Sequence, residues 1–170
     1  MPRAEVRAAI QTYLTGAKVP LLGNVYQHPP KYTSEGEFVL TGYAGIGVGA
    51  VIFIHLQEQS EEREAVGGPT SGKKRRTYQV ELLCVLREKS PSTQVAGQHN
   101  DQFLDGLTAA IEANRTAGTG VGGAVWQWGE GDTEGGMDIH VEAGFPRPIR
   151  QQTSQVYSRV TVTVVEWLTT

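Results

Sequence analysis

The stretch Thr77-Tyr-Gln-Val-Glu-Leu-Leu-Cys-Val-Leu86 decides the fold. Tyr78, Val80, Leu82, Cys84 and Leu86 alternate on one side, so a strand here turns an apolar face to a core. Thr77, Gln79, Glu81, Leu83 and Val85 fill the other side, polar early and apolar late. That pattern predicts burial on one face at the start of the strand and on both faces near its end. Arg87 to Ser90 make a short polar break. Ser90-Pro91, a capping residue followed by proline at the first helical position, opens a helix that runs to Asn114. Val95, Phe103, Leu107 and Ile111 form its apolar stripe, with Leu104 beside it. A strand feeding a helix that packs back over the sheet is the core of an α/β or α+β domain.

Upstream, Ala50 to Gln57 is a second strand, with Val51, Phe53, His55 and Gln57 alternating against Ile52, Ile54 and Leu56. No helical segment separates the two strands, so they are expected to pair antiparallel. Their connection, Glu58 to Arg76, is too long for a tight turn. Its charge is divided. Glu58, Glu61, Glu62 and Glu64 lie on the outgoing limb, with Arg63 as an exception, while Lys73, Lys74, Arg75 and Arg76 lie on the return limb. Gly67, Gly68, Pro69 and Gly72 make the tip. Two uses of this arm stay open: a hairpin zipped by individually weak surface ion pairs, or a bipolar surface that meets a neighbouring subunit.

At the N-terminal end, Arg3 to Leu14 reads as an amphipathic helix with Val6, Ile10, Tyr13 and Leu14 on one face and Gly16 as its stop. Val25-Tyr26 starts a short strand ended by Pro29-Pro30, and Phe38 to Leu40 suggests another. After the second helix, Gly118 is the expected terminator and Thr119 to Gly123 a glycine-rich connector. Val125–Trp128 and Met137–Val141 read as short strands, and Gly144 to Pro148 as a loop. The chain closes on a strand from Gln155 to Leu168. Val156, Val160, Val162 and Val164 share one face of it, and Tyr157, Val165 and Trp167 the other. The expected architecture is one α+β domain over residues 1–170: a mixed, mostly antiparallel sheet flanked by two main helices, with a long charged hairpin arm.

Composition narrows the function. A length of 170 residues suffices for a core without staples, and 21 glycines imply long loops. A formal charge of −3 gives no general attraction to nucleic acid or anionic membrane. Cys84 is the single cysteine, so no intramolecular disulfide forms and a reducing compartment fits. Met-Pro-Arg-Ala-Glu has no apolar run after its charges, which argues against a secretory signal, and no stretch approaches membrane-spanning length.

The motifs that suggest chemistry are incomplete. Gly67 to Lys73 matches most of a phosphate-binding loop, but Lys74 stands where Ser or Thr must hold magnesium, and a strand follows instead of a helix. Gly45, Gly47 and Ala50 resemble a dinucleotide fingerprint, yet Val51 to Ile54 is a strand rather than the helix that motif must open. His28, His55, His99 and His140 form no zinc-type spacing with one another or with Cys84. Asp138, His140 and Glu142 are the best starting point for a small enzyme, but acid and histidine at such spacing are common by chance. Asn114-Arg115-Thr116 fits a glycosylation sequon, which carries no meaning without a secretory route. The residues therefore indicate a protein without catalytic, cofactor or metal sites.

The order of these elements resembles a known family. It is carried by Arg3-Ala-Glu-Val-Arg-Ala-Ala-Ile-Gln-Thr-Tyr-Leu14, Gly23-Asn-Val-Tyr26, Arg75-Arg-Thr-Tyr-Gln-Val80, Phe103-Leu-Asp-Gly-Leu-Thr-Ala-Ala-Ile111 and Tyr157-Ser-Arg-Val-Thr-Val-Thr-Val-Val165. Over nearly the whole chain this is similar to the tail terminator proteins of long-tailed, siphovirus-type bacteriophages, especially those of actinobacteria. The resemblance implies a mixed sheet with helices packed against it and a structural role in the virion. It also implies a homo-hexameric ring on the head-proximal end of the tail tube. Such a ring stops tube polymerisation, joins the tail tube protein to the head-completion (stopper) protein, and lets DNA pass through its lumen without specific binding. Assembly in the host cytoplasm and no membrane partner follow. The family offers no catalytic residues to transfer. Within this reading, Glu58, Glu61, Glu62, Glu64, Lys73, Lys74, Arg75 and Arg76 are the candidate subunit or tube interface, together with the loop Tyr32–Val48. Other head–tail joining proteins, such as the stopper or a minor capsid-associated connector, are the nearest alternative.

Overall fold

The computed structural model describes residues 3–29, 47–63, 72–90, 92–113, 116–119, 125–129, 139–149 and 153–169. Two helices, α1 (Arg3–Gly16) and α2 (Thr93–Ala113), accompany eight strands. These are β1 (Leu22–Tyr26), β2 (Val48–Arg63), β3 (Lys73–Glu88), β4 (Thr116–Thr119), β5 (Val125–Trp128), β6 (His140–Glu142), β7 (Arg147–Ile149) and β8 (Thr153–Thr169). One mixed sheet contains them all, in the order β1-β2-β3-β8-β5-β4, with β6 and β7 also pairing with β8. Only β1–β2 is parallel; the other pairings are antiparallel. The α+β expectation therefore holds.

The deciding strand lies at the centre of the sheet. β3 is paired along its whole length on both sides, from Val48↔Glu88 to Arg63↔Lys74 with β2 and from Lys73↔Thr169 to Glu88↔Ser154 with β8. Tyr78, Val80, Leu82, Cys84 and Leu86 are all buried beneath the helices. They join Ile52, Ile54 and Leu56 of β2, and Val156, Val160, Val162 and Val164 of β8, in one cluster with Val6, Ile10 and Leu14 of α1 and Phe103, Leu107 and Ile111 of α2. Period-2 faces meeting period-3.6 stripes account for this layer.

α1 packs over β1 and β2, and α2 over β3 and β8. The Tyr13 hydroxyl donates to the Ala110 carbonyl at 2.6 Å and ties the helices together. The Arg3 guanidinium donates to the Leu56 carbonyl, and Gln11 Nε2 donates to the Val25 carbonyl at 2.6 Å, fixing α1 against the sheet. Gly106 of α2 approaches the turn after α1 so closely that a Cβ there would lie 2.5 Å from Pro20 Cδ.

Several boundaries differ from the sequence reading, each for a local reason. The α2 cap is Ser92, whose Oγ accepts from the Val95 amide at 3.4 Å, rather than Ser90. The buried stripe opens on Ala96 and Asn100, with Val95 half-buried at its edge. The connection between β2 and β3 is far shorter than Glu58–Arg76, because the charged limbs continue the ladder to Arg63↔Lys74. Nor is the return limb a free arm, since β8 pairs with it as far as Lys73. β4 is a strand where the end of the helix, with Gly118 as its terminator, was expected, β7 overlaps the expected loop, and β6 spans His140–Glu142, with Met137 and Asp138 outside the described residues. Phe38 to Leu40, the tip glycines Gly67 and Gly68 with Pro69, and Glu64 lie outside the described residues.

Candidate assembly surface

Both helices occupy one face of the sheet, so the odd-numbered positions of β3 and β8 form a second face. A bulge between Leu56 and Glu58 exchanges the facing of β2 beyond it. Val51 and Phe53 therefore lie on this second face, as do Glu58 and Glu62, while Glu61 shares the helix-side face with Arg76. Val51, Phe53 and Val85 make a small buried cluster there, flanked by Leu83 and Tyr26. The Tyr26 and Phe53 rings stack at 5.4 Å.

The predicted interface residues fall into a charge ladder. Glu61 accepts from Lys74 Nζ at 2.8 Å and from Arg76 Nε at 2.7 Å. These contacts hold the Glu61 carboxyl down at about 2, through the hydrogen bond from Lys74 first and that from Arg76 second. Arg75 lies opposite Glu62 in register, with its guanidinium 5.9 Å from the centre of the Trp167 ring. Glu58 is paired with Gln79, and Lys73 with Thr169, by their backbones. The structure thus brings Glu61, Lys74 and Arg76 together on one face and directs Glu62 and Arg75 to the other. The loop Tyr32–Val48 lies outside the described residues as far as residue 46.

A second polar group, not singled out from the sequence, crosses four strands of the open face. Glu81 of β3, 5% exposed, is its centre. Its Oε2 lies 3.0 Å from His55 Nδ1 and accepts from Gln57 Nε2 at 3.0 Å, both from β2. Its Oε1 lies 2.5 Å from Arg159 Nε of β8. Arg159 NH1 also faces Glu142 Oε2 of β6 at 3.8 Å. Burial alone would raise the Glu81 carboxyl, but the hydrogen bonds from His55 and Gln57 and the Arg159 charge bring it below the ordinary value. Glu81 and Arg159 are odd positions of β3 and β8 and so share the second face, and Glu142 joins them there because β6 pairs it with Arg159.

Next to this network is a hollow of about 350 Å³. Phe53, Leu83, Val85, Tyr157 and the β6 end from Glu142 to Gly144 are among its lining residues. Cys84 also borders it, and burial pushes its thiol well up from the ordinary value. His140 Nε2 and Glu142 Oε1 are 3.3 Å apart in the open, at 70% and 56% exposure. Asp138, the third member of that group, lies outside the described residues. Among the described residues no cluster of His, Cys, Asp or Glu is arranged to hold a metal ion. The phosphate-loop match leads into strand β3 and the dinucleotide-like glycines into strand β2, so neither meets a helix N-terminus. No helix among the described residues is long and apolar enough to cross a membrane. No protein-family model matches this sequence, and neither does any curated protein.

Proposed function

We propose that this chain is a tail terminator of a long-tailed bacteriophage. It caps the head-proximal end of the tail tube as a ring of six copies, stops tube polymerisation, and presents a surface to the head-completion protein. It is then a non-enzymatic component of the virion, assembled in the host cytoplasm, through whose lumen DNA passes without sequence-specific contact.

The observation that carries this reading is the plan of the fold. The N-terminal helix, the long β2–β3 hairpin, the helix that follows it and the long closing strand build one mixed sheet with both helices on one face. That is the arrangement implied by the resemblance, and it leaves a second, ion-paired sheet face for contacts. A C6 ring requires two different, mutually complementary surfaces on each protomer. The Glu61–Lys74–Arg76 ladder and the Glu81–Arg159 network lie on opposite faces of the same sheet.

Electron microscopy of particles assembled without this gene tests the proposal. Overlong, headless tails are the expected result. Tails of normal length beside heads that leak DNA would move the protein to the stopper side of the joint. Intact, infectious particles would exclude a role at the head–tail joint.

A further inference from the structure

β2 has strand partners on both sides only over its first half. β1 lies parallel to it from Leu22↔Ala50 to Tyr26↔Phe53, and the Ala50 amide donates to the Leu21 carbonyl at 2.8 Å on that side. Further along, the Leu56 carbonyl points to the same side and accepts from Arg3. Even positions of β2 up to Leu56, which stand opposite even positions of β3, thus turn their backbone groups away from β3. The bulge between Leu56 and Glu58 passes that role to Gln59, Glu61 and Arg63, opposite Tyr78, Arg76 and Lys74. Among the described residues nothing bonds the amides and carbonyls of these three on that side. The second half of β2 is therefore an open edge.

The same sheet has another open edge at the same level. Ser60 stands opposite Thr77, Thr77 opposite Val165, Val165 opposite Gln127, and Gln127 opposite Thr116. Glu62 leads in the same way through Arg75, Trp167 and Val125 to Thr119. β4 is the last strand of this order, and among the described residues its outer side has no strand partner. Every step across is antiparallel, so β4 runs in the same direction as β2.

We infer that β4 of one copy adds to the open edge of β2 in another copy of this chain, as a parallel strand in line with β1. Shifting one copy sideways along the sheet brings Thr116–Thr119 to the level of Ser60–Glu62 without any change of height or direction. The two edges are opposite margins of the strand series β2-β3-β8-β5-β4, about 19 Å apart at ordinary strand spacing, so one copy cannot join its own. The contact is heterologous, and it closes into a ring when its rotation permits. Charge selects among copies of the same edge. Two β2 edges brought together would set the acidic run Glu58, Glu61 and Glu62 against itself, which destabilises a ladder. β4 is Thr-Ala-Gly-Thr and brings no charge. Main-chain bonds supply the affinity in strand addition. The contact rests on the terminator reading for the number of copies alone.

Cysteine cross-linking of the full chain tests it, with sedimentation velocity over a range of concentrations and circular dichroism to verify folding. The wild-type chain is expected to associate. Neighbouring residues of a strand face opposite sides, so Ser60→Cys is combined with Thr116→Cys in one variant and with Ala117→Cys in another. A disulfide needs Cα atoms within about 7 Å, which these positions reach only between copies. Under mild oxidation one of the two double variants should give covalent species longer than two copies, while each single-cysteine variant stops at two. The native Cys84 is buried and does not compete. Gln59→Pro removes one amide from the open edge, where proline is tolerated, and should raise the concentration needed for association at least tenfold. A wild-type chain that stays monomeric, folded double variants that link no further than two copies, or a folded Gln59→Pro variant that associates like the wild type overturns the inference. A linked series that ends at six copies supports contact and ring together. A series that ends at another number supports the contact and removes the six-fold ring.

Discussion

Tyr78 donates its hydroxyl to Glu166 Oε2 at 3.1 Å across the β3–β8 ladder, and both residues are wholly removed from solvent. Arg76, the ladder partner of Glu166, also bonds Tyr78. A buried carboxylate is tolerated only when its oxygens are satisfied. Tyr78→Phe keeps the packing and removes the donor, and should cost about 1–3 kcal/mol in chemical denaturation. In a double-mutant cycle, Glu166→Gln should recover part of that cost. Additive effects would show that the two residues are not coupled.

The same pair sets an alkaline limit. Burial first, and the Glu166 charge second, push the Tyr78 phenol up to about 12. A folded-state value above the unfolded one stabilises fully below the unfolded value of about 10 and is lost as pH rises toward the folded value. Stability should therefore fall between about pH 10 and 12, by about 1.4 kcal/mol for each unit of separation. Tyr78→Phe should lose this component of the slope. A wild-type and a variant with identical alkaline profiles would refute the assignment.

Gly106 gives a case where two known effects oppose. In a helix interior alanine is favoured over glycine by about 1 kcal/mol. Here the new methyl would stand 2.5 Å from Pro20 Cδ, on a ring too stiff to withdraw. Overpacking of this kind costs about 1–3 kcal/mol. Gly106→Ala should thus be neutral to destabilising, with a lowered melting temperature, instead of the gain expected at an open helical site.

Core and open face differed in how far they could be read from sequence. Tyr78, Val80, Leu82, Cys84 and Leu86, and Val156, Val160, Val162 and Val164, keep a period-2 apolar face, and Val6, Ile10 and Leu14 recur at helical spacing, so the helix-side core was accessible from hydrophobic period alone. The hairpin was read short because its outer ladder is built from charge: Glu61 faces Arg76 and Glu62 faces Arg75, and polar residues carry no hydrophobic period. β7 was hidden because its three residues, Arg-Pro-Ile, gain their strand character from pairing with β8. The Glu81 network joins His55 and Gln57 of β2 to Arg159 of β8 and Glu142 of β6, and only the tertiary register brings residues so far apart in the chain to one face.

The charge ladder is the remaining test of how the chain assembles. Glu61 is held at about 2 by Lys74 and Arg76, so its ionised form is favoured in the folded protein. A depressed carboxyl contributes above its unfolded value and is lost as pH falls toward the folded one. The Glu61 pairs should accordingly persist at pH 4 and break only near pH 2. They are exposed and screened by salt, so their share of monomer stability is small. Reversal by Glu61→Lys should leave the melting temperature close to that of the wild type, whereas Arg76→Glu also sets a second carboxylate beside the buried Glu166 and Tyr78 and should lower it. If these charges meet a neighbouring subunit or the tube, either reversal should block ring formation on purified tail tubes, viewed by negative-stain microscopy. The Glu61→Lys/Arg76→Glu double variant separates the two roles: it restores the pair within the hairpin but presents inverted charge outward. Rings that reappear with the double variant would assign the ladder to the hairpin alone. Rings lost in both single variants and in the double variant would assign it to the assembly contact.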